Sequence, residues 1–176
     1  MWISIILICL VGTSLHFLYE ISHHNKYVAL FAAVNESTWE HIKIALTPMF
    51  LYGLYDGFKY GMLDNYFIAK SLSLLVVIII IPLIFYTYTT FTKKAILIID
   101  IITFCIAIIG GQLTFNYVIN LSSLNYIYSY LGVIILFIIF GFYMIATLLP
   151  FKNFIFKDPI SKKYGIKGHT DTRHKF

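Results

Sequence analysis

Cysteine is almost missing from this sequence: Cys9 and Cys105 are the only two, and both lie inside apolar runs. Two such thiols make neither a disulfide framework nor a zinc knuckle, and each reads as a small core residue. Proline numbers four, and no Gly/Ser-rich or Pro-rich linker, internal repeat or second soluble domain divides the chain. Charge is equally thin, at 12% of 176 residues. The first apolar run, residues 2–19, lacks the basic start and small-residue cleavage site of a secretory signal, so it reads as a retained span. Leu7 and Ile8 before Cys9 likewise lack the small residue that a lipoprotein site expects.

What fills the sequence is hydrocarbon. Hydrophobic residues make up 60% and mean hydropathy is +0.84, a balance that a soluble domain of this size cannot bury and a bilayer accepts. A spanning helix needs about 20 mostly apolar residues, because 1.5 Å per residue must cover roughly 30 Å of hydrocarbon. Residues 67–91, 95–118 and 124–149 qualify, each nearly free of charge, and residues 2–19 form a shorter first span. Residues 37–60 form a second span interrupted by Pro48, Asp56 and Lys59, which must face protein or water on one side. Barrel strands alternate in ten-residue segments, whereas these runs are apolar all round. The expectation is an all-α, polytopic membrane helical bundle of about five transmembrane helices over residues 1–150, followed by a short basic tail over 151–176.

Seven of the 13 Lys and Arg fall in that tail: Lys152, Lys157, Lys162, Lys163, Lys167, Arg173 and Lys175. The positive-inside tendency places it in the cytoplasm. Counting back over five spans puts Lys93 and Lys94 inside, the uncharged "NLSSLN" linker outside and the N-terminus outside. The net charge of +5 and pI near 9.1 come with no recognition motif, so nucleic acid is not the expected partner. The lipid bilayer is, with anionic headgroups drawn to the tail at about 1 kcal/mol per basic residue. A homo-oligomer or a membrane partner is also compatible with the sequence.

Against this background "AAVNESTWEHIKIAL", residues 32–46, is dense in polar groups. Ser37 and Glu40 fit S-x-x-E, a capping box that would start a helix at headgroup level with Trp39 as an interfacial anchor. More is present than a cap needs. His16 and Glu20 are four apart at the end of the first span, Glu36 and Glu40 are four apart at the start of the second, and His41 and Lys43 follow. A short connection between the two helix ends brings two imidazoles and three carboxylates to one membrane boundary. Two chemistries suit His16, Glu20, Glu36, Glu40 and His41. One is a divalent metal, zinc, manganese or iron, held by His16, Glu20, Glu36 and His41. The other is proton relay or general acid–base work. No H-E-x-x-H and no pair of Glu-x-x-His motifs accompanies the cluster.

Residues 27–34, "YVALFAAV", are too few to cross and suit an element that dips into the headgroup region and turns at Asn35. His23 and His24 read as solvated, and His169 and His174 as free tail. Asp100 either pairs with Lys93, Lys94 and its own helix start or leans towards the cluster. Gln112, Asn116 and Asn120, with Gly110 and Gly111, read as glue between helices or as a transport path. Asp56 and Lys59 suggest a local ion pair, and Lys70 suggests snorkelling to the outer surface. "FKNFIFKDPISKKYGI" reads as an interfacial segment with a turn at Asp158-Pro159 that folds back under the bundle.

"HFLYE", "VNESTWEHIK" and "FKDPISKKYGI" together resemble a family of small multi-pass bacterial membrane proteins carrying a domain of unknown function. The resemblance covers nearly the whole chain, and its most specific part is Asn-Glu-Ser-x-Trp-Glu-His. It implies a bacterial inner-membrane protein of about five helices and brings no activity with it. His16, Glu20, Asn35, Glu36, Trp39, Glu40 and His41 match its recurrent motifs. Three functions follow in order: a catalytic or metal site, a non-catalytic assembly subunit, and a small transporter in which Asp100, Gln112 and Asn116 line a path.

Overall fold

The computed structural model describes residues 1–61 and 65–169; Arg173, His174 and Lys175 of the tail lie outside the described residues. Five long helices make the fold: α1 (Trp2–Ile21), α2 (Thr38–Tyr60), α3 (Tyr66–Thr92), α4 (Leu97–Ile119) and α5 (Tyr126–Leu148). Four of them, α1, α3, α4 and α5, are long and apolar enough to cross a membrane. Each begins and ends within about two residues of the expected apolar runs, because an uninterrupted apolar segment has no competing backbone partner in lipid.

α2 differs for the expected reason. Its polar residues Thr38, Glu40, Lys43, Thr47 and Asp56 are all buried, so they face protein. It runs the height of the bundle antiparallel to α3: Thr38 at its start meets Tyr86 near the end of α3, and Asp56 near its end meets Lys70 near the start of α3. At that second end Asn65 also donates to the carbonyls of Leu121 and Ser122 and accepts from Leu124 N–H, tying the α2–α3 connection to the α4–α5 turn.

Glycines let helices approach closely, at Gly132 and Gly12 among others. A Cβ at Gly132 on α5 would lie 2.3 Å from the backbone nitrogen of Ile68, so α3 and α5 touch main chain to side-chain-free main chain. A Cβ at Gly12 on α1 would stand 2.9 Å from the Ile44 carbonyl of α2. Pro48 has no N–H to offer that carbonyl, its helical partner four residues back. Gly12 therefore lets α1 close on α2 just where α2 is locally open, and His16, one turn further along the same face of α1, is carried to α2 by that approach.

Several local expectations are corrected. Asp56 pairs not with Lys59 but with Lys70, at 2.9 Å, and Lys70 does not snorkel: it is buried, with its ammonium also 4.7 Å from the centre of the Phe115 ring. Lys59 instead lies over the Tyr60 ring. Of the amide row on α4, Gln112 is buried and accepts from Ser4 of α1 at 3.3 Å, whereas Asn116 and Asn120 are exposed, so the three do not share one path. Trp39 is no interfacial anchor. It is 4% exposed and stacks on Phe156 of the tail at 5.0 Å.

Candidate metal centre

The connection between α1 and α2 builds one wall of the site. Residues 28–30 form a 3-10 turn, and Ala29, Ala32, Ala33 and Val34 are buried. Irregular backbone beside a membrane helix survives only where its polar groups find protein partners. Here the carbonyls of Ala29, Leu30 and Phe31 accept from Lys43, Tyr143 and Thr47 in turn, at 2.9, 2.8 and 3.1 Å. Ala33 N–H reaches the Leu15 carbonyl of α1. The connection thus packs as a buried irregular segment, and Lys43 and Thr47 of α2 are spent on holding it.

The helix start after it is capped by the tail, not by a capping box. Ser37 makes no side-chain cap, and the Glu40 carboxylate accepts from Val34 N–H at 3.0 Å and pairs with Lys43 at 2.6 Å. The orphan N–H groups find other acceptors: Glu36 N–H donates to Asp158, Ser37 N–H to the Asn35 side chain, and Trp39 N–H to the Ile155 carbonyl. Asp158 is fully buried. Its second carboxylate oxygen accepts from Ser161 N–H, which closes the turn begun at Asp158-Pro159. Asn35 donates to Gly165, and His169 bonds the Val34 carbonyl at 2.9 Å while packing against His24 and Tyr19. His169 is therefore docked and not loose tail, whereas His24 is exposed, as expected, with its ring against that of His169.

Glu36 projects from this clamped turn between two imidazoles. Its carboxylate oxygens lie 3.7 Å from His16 Nε2 and 3.9 Å from His41 Nε2, and the rings of His16 and His41 have their centres 5.7 Å apart. One ligand atom from each of the three residues falls within 4.8 Å of the others. Ligands at about 2.1 Å around a tetrahedral ion stand about 3.4 Å apart, so a contraction of about an ångström would close them on a metal. His41 is already oriented for it. Its Nδ1 lies 3.0 Å from the Ser37 carbonyl, an arrangement that leaves the Nε2 lone pair directed at Glu36.

The other expected site residues divide. Glu40 is committed to Lys43 and Val34. Glu20 stands on the His16 face of α1 but outside the three-residue set. Asp100 stands in the first turn of α4, the helix-start placement of one expectation, and borders the cluster through a cavity shared with His41. It accepts a hydrogen bond from Tyr88, not an ion pair with Lys93 or Lys94, and lines a small cavity with His41, Thr38 and Thr103. Thr103 Oγ1 is buried there without a hydrogen-bond partner, as is Nδ1 of His16 in its own setting. Sequence reasoning missed Asp158. The only signal for it was the "KDP" turn in a Phe-rich tail.

Because Asp158 holds Glu36 by its backbone, Asp158→Asn should lower the affinity for added zinc about tenfold, at the lower end of the usual cost of losing an outer-shell support. Metal titration of the purified variant, with circular dichroism to confirm an intact bundle, checks this.

No curated protein and no solved structure matches this chain. A family of unknown function, DUF6512, does match, over residues 1–166, and the chain belongs to it.

Proposed function

We propose that the chain is an integral membrane protein of a bacterial inner membrane that holds one divalent transition metal between His16, Glu36 and His41, at the cytoplasmic boundary. The observation that carries the reading is the convergence of two imidazole nitrogens on one carboxylate. The three ligands arise from α1, the connecting turn and the first turn of α2. Two His and one carboxylate suit zinc, ferrous iron or manganese, and three protein ligands leave at least one coordination position open.

That opening gives the site a catalytic character. The small cavity beside His41 carries Asp100 and the unsatisfied Thr103 hydroxyl, polar groups that would adjoin the open position of a metal held by His41. A metal there would supply Lewis-acid polarisation, and Asp100, on the wall of the same cavity, would serve as the proton acceptor. The basic tail supports the cytoplasmic placement, since it packs on the same end of the bundle as the site.

Elemental analysis of detergent-purified protein tests the reading. About one equivalent of zinc, iron or manganese per chain is expected for the wild type, falling to background in His16→Ala and Glu36→Ala. Wild-type protein that purifies without metal and takes up none on titration would remove the proposal.

A further inference from the structure

The tail builds a second feature that the metal ligands do not touch. After α5 the chain turns at Pro150 and folds into a hairpin-like loop, with an isolated antiparallel bridge between Lys157 and Tyr164. Between this loop and the last turn of α5 lies a cleft of about 670 Å³, lined by Lys152, Lys162, Lys163, Lys167, Tyr164 and Leu148 among others. That volume is within the range of small-ligand pockets. Four lysines line the cleft, and no carboxylate lies within ion-pair distance of any of them among the described residues.

The loop is fixed, not floppy. Asp158 accepts from the backbone of Ser161 and Lys162, and Asn35 anchors Gly165. Lys162 is held at φ 61, a left-handed conformation that a non-glycine residue adopts at a cost, and it lines the cleft together with Lys152, Lys163 and Lys167. Like charges brought together by a rigid loop, with no counter-ion among the described residues, form an anion site in waiting.

Location selects the anion. The cleft opens at the end of a helix apolar enough to span a membrane, and its Leu148 wall is 63% exposed. Ile145, three residues earlier on the same face, is 54% exposed. A ligand with a phosphate head and acyl chains would satisfy the ammonium groups and cover this apolar strip together. We propose that the cleft of Lys152, Lys162, Lys163 and Lys167 binds the phosphate of an anionic membrane lipid, with the acyl chains running along the Leu148 face of α5.

The test is thermal unfolding of the full chain in neutral detergent micelles doped separately with phosphatidylglycerol or phosphatidylcholine, or given inorganic phosphate. Phosphatidylglycerol alone should raise the melting temperature of the wild type. In a Lys162→Gln/Lys163→Gln/Lys167→Gln variant the response should need on the order of a hundredfold more lipid, and in Lys152→Gln about fivefold more, from about 1 kcal/mol per lysine. Lys93→Gln/Lys94→Gln, which removes two lysines from the same end of the bundle, should respond as the wild type does. Lys152→Gln, which leaves the hairpin loop intact, keeps the test decisive if the triple variant does not fold. An unchanged response in the cleft variants, an equal loss in the Lys93/Lys94 control, or an equal shift with inorganic phosphate or phosphatidylcholine overturns the proposal.

Discussion

Lys70→Met should destabilise the bundle by about 3–5 kcal/mol, the usual cost of breaking a buried ion pair by removing one partner. Asp56 and Lys70 have side chains only 6% and 4% exposed and stand 2.9 Å apart between α2 and α3. With the ammonium gone, the Asp56 carboxylate is left buried without its ion-pair partner, and it must protonate or draw water or another cation inward. Gly53 borders the same pair, since a Cβ there would lie 2.6 Å from Lys70 Cε and the lysine side chain would have to shift aside. Adding Asp56→Asn to Lys70→Met should restore most of the loss, because no charge is then stranded. Thermal unfolding of the three detergent-purified variants measures both steps. A single Lys70→Met variant as stable as the wild type would show that the pair does not hold α2 against α3.

Glu36→Gln should weaken metal binding by more than about 100-fold, while leaving the bundle folded. Outer-shell losses alone typically cost 10–100-fold, and this change removes the only carboxylate in the three-residue set. Glutamine keeps the size and the backbone of the turn, so the Glu36 N–H bond to Asp158 survives. His16 and His41 then face each other with no anion between them, and two neutral imidazoles with a neutral amide hold a divalent ion poorly. Competition for zinc against a chromophoric chelator reads the affinity, and unchanged affinity would exclude Glu36 as a ligand.

How far the sequence reveals these features follows from the range of the interactions involved. α1, α3, α4 and α5 are legible because each rests on one property, apolar length, that a continuous stretch carries by itself. The convergence of His16, Glu36 and His41 is also legible. Helical spacing places His16 at the end of one helix and His41 in the first turn of the next, and a short connection joins them. Partner choice is not. Asp56 has Lys59 at helical spacing and Lys70 across a turn, and only the packing of α2 on α3 decides for Lys70. Ser37 and Glu40 fit a capping box equally well on paper, but Lys43 reaches back from one turn later and takes the carboxylate. Trp39 suits a membrane interface or a core, and the choice is made by Phe156, more than a hundred residues away. The tail shows the same limit. Its phenylalanines and lysines look alike as a free amphipathic segment or as a docked one, and the single buried carboxylate of Asp158 distinguishes them.

X-ray absorption spectroscopy of the zinc-loaded full chain tests the metal centre most directly. A first shell of two imidazole nitrogens near 2.0–2.1 Å with carboxylate and solvent oxygens is expected, with the imidazole scattering lost in a His16→Ala/His41→Ala variant. An all-oxygen shell, or an imidazole signature untouched by that variant, would contradict it.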